Sequence, residues 1–242
     1  MIKHHPKFEL IQSFVNGDLP ASLSIGIAIH ADMCPICQQK IAQLTEQVAE
    51  QSFEGSVISL DDMDLASMER LDASGYSGID IDGSLDEDTV FDSMISNITF
   101  SDDLAETQEP IERSVTFRDK TYVLPTALNN IGFGKAANIG KLSRSRLQLN
   151  EDEIHSNLLH INAGGGVPAH THKGFELTVL LDGSFTDHEG EYNKGDFIML
   201  DGTFTHTPMS ENGCLCYTVA NDALHFTQGI NKLLNPIGSF IY

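Results

Sequence analysis

Apolar residues recur at helical spacing through the first fifty positions. Phe8, Leu10, Ile11, Phe14 and Val15 share one face of a first helix. Pro6 suits its first turn, and Asn16-Gly17-Asp18 stops it. A second helix is predicted from Pro20 to about Met33, with Leu23, Ile27 and His30 on related turns. A third is predicted from about Pro35 to Ala49, carrying Ile41, Leu44 and Val48. Such short connections imply a compact helical bundle.

From about Val115 the pattern changes to short β-rich runs. They are 115–117, 122–124, 145–149, 154–161, 177–181, 197–200 and 214–219. Turns are expected between them at Gly164-Gly165-Gly166, Asp182-Gly183, Asp201-Gly202 and Asn212-Gly213. Many short strands at this spacing predict a barrel or sandwich.

Between the two patterns lies an acidic stretch. Residues 54–112 hold 17 of the 35 acidic residues, and Arg70 is their only basic one. Much of this segment reads as a solvated linker. Ser84-Leu85-Asp86-Glu87 has capping-box spacing, and Val90, Phe91, Met94, Ile95 and Ile98 follow with helical period. A fourth helix is therefore predicted over about 85–99. It serves either to close the N-terminal domain or as part of a partner-binding surface.

The formal net charge of −21 disfavours direct binding to nucleic acid or to an anionic membrane, and favours a basic protein partner. No run of about 18 apolar residues suggests a membrane span, and the N-terminus lacks signal-peptide features, so a cytoplasmic location is expected. The four cysteines form two close pairs, Cys34/Cys37 and Cys214/Cys216. In a reducing compartment such pairs point to metal binding or redox chemistry.

His30, Cys34 and Cys37 form H-x-x-x-C-x-x-C. On a helix or a tight helix junction, offsets of four and three bring the three side chains together. A tetrahedral zinc site needs one more nitrogen or sulfur, and His4 and His5 are the candidates in this half. One ion tying two helices would stabilise a small domain with little core of its own.

The segment from Gly164 to Gly183 holds His170-x-His172-x-x-x-Glu176. On a strand, His170 and His172 point the same way, and Glu176 returns across a bend. His206, downstream of Gly195, is a natural fourth ligand. Three imidazoles and a carboxylate suit a divalent metal, zinc foremost, with Fe, Mn or Ni (or Cu) as alternatives. Cys214 and Cys216 share one side of a later strand, as inert packing or as a redox-sensitive pair. His155, His160, His188 and His225 show no ligand pattern.

The Gly164–Gly183 segment resembles the first cupin motif in full. The Gly195–His206 segment resembles the second, departing at Asp201, Thr203 and Ser210. Together with the N-terminal His/Cys motif and the late Cys-x-Cys pair, this order of domains resembles the ChrR family of anti-sigma factors. The resemblance covers about residues 1–52 and 110–226. It implies an N-terminal domain that binds an extracytoplasmic-function-type sigma factor and blocks its access to core RNA polymerase. It implies zinc held by His5, His30, Cys34 and Cys37, with His5 taken as the second of two adjacent histidines. It also implies a cupin metal on His170, His172, Glu176 and His206, needed for response to singlet oxygen or organic peroxide.

The expected fold is thus α + β and multidomain: a small zinc-binding helical bundle followed by a cupin β-barrel or jelly roll. The expected boundaries are residues 1–100 for the helical anti-sigma domain, with a partly flexible acidic stretch at 54–84. A linker at 101–113, a cupin domain at 114–230 and a tail at 231–242 follow. The expected role is regulatory and non-enzymatic. The alternatives are a metal-dependent cupin oxygenase or isomerase, because the fold hosts many chemistries, and a metal-storage protein.

Overall fold

The structure is a computed structural model that describes residues 2–54, 87–101, 112–151, 153–172, 174–222 and 225–226. Four helices come first: α1 (Phe8–Asn16), α2 (Ala21–Met33), α3 (Pro35–Glu54) and α4 (Glu87–Thr99). Gly17, in the left-handed region at φ 77°, ends α1 by donating its N–H to Phe14 O and passing the next donor to Ser13 O. Helix α3 runs about a turn past its predicted end. Its later residues are good helix formers, and the Thr45 and Ser52 hydroxyls donate back to carbonyls four residues earlier. Most of the acidic stretch, the capping-box residues before Glu87 and the C-terminal tail lie outside the described residues.

The remaining elements are strands, with one 3₁₀ turn at Thr126–Leu128. They are β1 (Ser114–Phe117), β2 (Lys120–Val123), β3 (Gly132–Phe133), β4 (Ala137–Ile139), β5 (Leu142–Gln148), β6 (His155–Ile161) and β7 (Gly165–Gly166). Then come β8 (His170–Thr171), β9 (Phe175–Thr186), β10 (Glu191–Asn193), β11 (Phe197–Asp201), β12 (Met209–Ser210), β13 (Cys214–Ala220) and β14 (His225–Phe226). The main sheet is antiparallel, in the order β3-β5-β6-β13-β9-β12-β7, with β10 and β11 also on β9 and β4 on β5.

One expected turn is absent. Asp182-Gly183 lies inside β9, which runs unbroken to Thr186. The strand absorbs an extra residue there: Leu215 pairs with Asp182, but Cys216 pairs with Leu180. Gly183 adopts φ 74°, and an added Cβ would strike the carbonyl of Gly213. The left-handed glycine that suits a turn is here accommodated inside the strand, just past the bulge at Leu181.

The described chain forms two compact units, Met1–Ser52 with Ile111–Tyr242, and Phe53–Pro110. In the first, α2 lies directly on the barrel. It buries Ser22, Leu23, Gly26, Ile27, Ile29 and His30, so it is apolar around most of its circumference. Gly26 leaves room for Leu177 of β9, whose Cδ2 would sit 2.6 Å from an added Cβ. Leu23, Ile27 and Ile29 share one core cluster with Leu158, Leu177, Val179, Tyr217 and Val219 of the barrel. The buried Tyr217 hydroxyl closes this contact by donating to Ser22 O at 2.8 Å, with Ser156 Oγ at 3.2 Å. In the second unit, Met94, Ile95, Ile98 and Phe100 on and just after α4 are exposed.

A Tyr217→Phe substitution keeps the ring and removes that hydrogen bond. It is expected to cost about 1 kcal/mol of unfolding free energy, read from urea denaturation. An unchanged midpoint would mean that the hydroxyl contributes nothing to seating α2.

Candidate metal centres

The N-terminal cluster forms where three elements meet. His5 precedes α1, His30 lies in the last turn of α2, Cys34 is the extended residue between α2 and α3, and Cys37 lies in the first turn of α3. The helix junction sets the cysteines three apart on either side of its turn. His30 Nε2 is 3.3 Å from Cys37 Sγ. His5 Nδ1 is 3.4 Å from Cys34 Sγ and 3.5 Å from Cys37 Sγ. A zinc ion with bonds of ~2.0–2.3 Å in tetrahedral geometry separates its ligand atoms by about 3.3–3.8 Å, which matches these edges.

Burial favours the uncharged forms of Cys37 and His30. Burial, and then the neighbouring Cys34, push the Cys37 thiol up to about 11. Burial also lowers His30 below its usual value and so favours the neutral ring. A neutral imidazole can donate its lone pair as it stands, and a metal ion would displace the proton of the Cys37 thiol. Of the two histidines that the spacing left open, His5 faces the thiols, whereas His4 packs its ring on Tyr192 at 4.8 Å.

The second cluster sits inside the barrel. His170 of β8 is bridged to His206 by reciprocal backbone hydrogen bonds of 3.1 Å. Asn221 accepts the Phe175 N–H at 2.8 Å, at the bend before β9. That bend brings Glu176, the second residue of β9, back toward the two imidazoles. His206 Nε2 is 2.8 Å from His170 Nε2 and 3.2 Å from Glu176 Oε2. His172 Nε2 is 3.0 Å from Glu176 Oε2. Edges near 3 Å are those of right-angle pairs on an octahedral ion with bonds of ~2.1 Å.

The outer groups orient these rings. His170 Nδ1 donates to Pro168 O at 2.8 Å, which turns its Nε2 lone pair inward. Asp187 Oδ2 lies 3.7 Å behind His206 Nδ1. Burial pushes His170 down to about 4, so its ring is neutral. Burial works to raise Glu176, yet His172 and His206 together hold it well below the usual carboxylate range. An ionised carboxylate set among three imidazoles makes a favourable cation site.

Cys214 and Cys216 are both free and buried, and they share a core cluster with Leu180 and Ile198. A hydrogen bond from Cys216 lowers Cys214 below the ordinary thiol range, while the same bond and burial raise Cys216 well above it. Glu176 also acts on Cys216, so the pair lies beside the barrel cluster. His160 is buried against Phe117 and Tyr122, and His188 is exposed; neither joins a cluster.

Residues 137–223 match the family model of the ChrR cupin-like domain. The anti-sigma-E factor ChrR of Cereibacter sphaeroides is 25% identical over 242 residues, 97% of each chain. The chain is similar to ChrR along nearly its whole length. The crystal structure of Rhodobacter sphaeroides SigE in complex with the anti-sigma ChrR matches with a TM-score of 0.57 at 22% identity. The match covers 91% of this chain and 99% of that one, which establishes a ChrR-like fold. Beyond these clusters, the ChrR-like barrel supplies supporting residues that sequence spacing did not reveal, Asp187, Asn221 and Asp196, and gives the motif glycine Gly195 a contact with His30 that spacing did not suggest.

The reconstituted chain is expected to bind two metal ions, measured by atomic absorption after gel filtration. Cys34→Ser with Cys37→Ser should remove one, and His170→Ala with His206→Ala the other. A double variant that keeps both ions would rule out the corresponding cluster as a centre.

Proposed function

We propose that this protein is a cytoplasmic, non-enzymatic anti-sigma factor. Its N-terminal region captures an extracytoplasmic-function-type sigma factor and withholds it from core RNA polymerase. His5, His30, Cys34 and Cys37 hold the zinc that shapes this region. His170, His172, Glu176 and His206 hold a second divalent metal, zinc, iron, manganese or nickel. An oxidative signal, singlet oxygen or an organic peroxide, acts on the barrel and releases the sigma factor. The observation that carries this reading is the similarity to the anti-sigma-E factor ChrR across 97% of both chains.

Physical features support it. Ile36, exposed between the two thiol ligands, presents an apolar surface whose position depends on the metal. Phe53, Met94, Ile95, Ile98 and Phe100 are exposed as well, in the unit rich in carboxylates. Apolar anchors in an acidic field suit a partner that is basic at its edges and apolar at its docking helices. Among the described residues no helix is long and apolar enough to cross a membrane. Inhibition is occlusion, so release needs only a shift in relative affinity. About 5.5 kcal/mol would carry a 1:99 equilibrium to 99:1.

The buried Cys214/Cys216 pair suits the signal step. A peroxide accepting two electrons would leave a disulfide, an alcohol and water, and the new bond would pull on β13 beside the barrel metal.

The test is co-purification of the full chain with each extracytoplasmic-function-type sigma factor of the source genome. The zinc-loaded chain should bring down one of them, and the Cys34→Ala/Cys37→Ala chain none. A folded, metal-loaded chain that captures no sigma factor ends the regulatory reading. The Cys214→Ala/Cys216→Ala chain should bind sigma normally but hold it after peroxide treatment. Release at the normal rate would remove these cysteines from the mechanism.

A further inference from the structure

The two cysteines of the N-terminal cluster are placed by their own helix junction, but the two histidines are placed by the barrel. His5 follows a segment, Ile2–His4, that belongs to no helix. That segment is fastened at three points. Asp196 Oδ1 accepts the Lys3 N–H at 2.7 Å and the His4 N–H at 3.0 Å, and His4 O accepts the Phe197 N–H at 3.0 Å. The other Asp196 oxygen accepts the Asn193 N–H at 2.8 Å, which locks the carboxylate to its own turn. Asp196 is 0% exposed. One residue earlier, Gly195 O accepts from His30 Nδ1 at 2.7 Å, which turns His30 Nε2 toward the thiols. Gly195 sits at φ 92°, and an added Cβ would lie 2.5 Å from Ile2 Cδ1. Only glycine lets the carbonyl and the N-terminal segment approach together.

We infer that the barrel turn Gly195–Asp196 is a positioning element of the N-terminal metal centre, so that the barrel helps to set that centre's metal affinity. The inference rests on the metal reading proposed above and adds a residue that touches neither metal nor partner. Partners that fix the tautomer and direction of a ligand typically change metal affinity 10–100-fold when removed. The same turn leads into β11, whose Leu200 pairs with Glu176 of the second cluster. A displacement at Glu176 thus has a direct backbone route to the first cluster.

The test uses cobalt(II) added to the metal-stripped full chain. A thiolate-to-cobalt charge-transfer band reports the N-terminal cluster alone, because the barrel's ligand set contains no sulfur. Competition with a chelator then gives that cluster's affinity. Asp196→Ala should weaken it at least tenfold, with cobalt uptake by the barrel and the circular dichroism spectrum unchanged. Asp196→Asn, which keeps an acceptor oxygen for Lys3 and His4, should recover part of the loss. An Asp196→Ala chain within twofold of the unaltered one would overturn the inference. If that chain does not fold, Lys3→Pro removes the 2.7 Å donor from the other side and leaves the barrel intact. The same tenfold weakening is expected, and an unchanged affinity would again overturn it. An unaltered chain with no thiolate band would sink the metal reading and this inference together. A normal band with unchanged affinity in Asp196→Ala would sink this inference alone.

Discussion

His30 has two ring nitrogens, and the fold commits both. Nδ1 donates to the carbonyl of Gly195 in the barrel, and Nε2 faces the thiol of Cys37. An imidazole that serves a backbone acceptor on one side and a metal-binding set on the other cannot shift without leaving one of them unpaired. Its near-complete burial makes either loss expensive. The placement of α2 follows from this. The helix must present His30 to the turn before β11, and its remaining faces must then be apolar to lie on Leu177 and Tyr217. The helical region is therefore built against the barrel rather than beside it.

The barrel cluster obeys a complementary constraint. Glu176, His170, His172 and His206 come from both sides of a bend and from a distant loop, yet their ligand atoms lie within 4.8 Å of one another. Backbone pairing between His170 and His206, and the Asn221 contact at Phe175, hold this convergence before any ion contributes. The bulge at Leu181 adjusts how β9 runs along β13, where Cys214 and Cys216 point into the same core. A chemical change at either thiol would be felt on the strand that carries Glu176, because the two strands are hydrogen-bonded from Ala220 to Cys214.

Much of this was legible from local spacing. Helices α1 to α3 follow from apolar periodicity, and the convergence of His30, Cys34 and Cys37, and of His170, His172 and Glu176, follows from offsets of two, three and four residues, whereas spacing left His4 and His5 open and only resemblance chose His5. His206 was legible at longer range because its distance from Gly195 resembles a known motif. What spacing cannot express is a contact between residues with no local relation. Asp196 meets His4 across 192 positions, and nothing near either residue marks the pairing. The Asp182-Gly183 dipeptide misled for a different reason. It encodes a left-handed residue, which a hairpin turn uses but which β9 takes up at Gly183 without turning back. The apolar face of α4 was legible as a face, but its exposure was not, because amphipathy does not tell a helix packed in its own chain from one awaiting a partner.

The position of the Gly195–Asp196 turn gives the two centres a shared element without a shared ligand. One end of the route is the barrel cluster around Glu176, and the other is the His/Cys cluster beside the exposed Ile36. Between them lie β11 and a carboxylate that accepts three backbone hydrogen bonds. Losing any of these donors would leave a buried carboxylate under-satisfied, which is costly. Coupling through such a group would suit the proposed regulator, which holds a partner and then releases it. In this arrangement the barrel is a structural part of the N-terminal cluster's setting, and a change at one cluster reaches the other without a linker to cross.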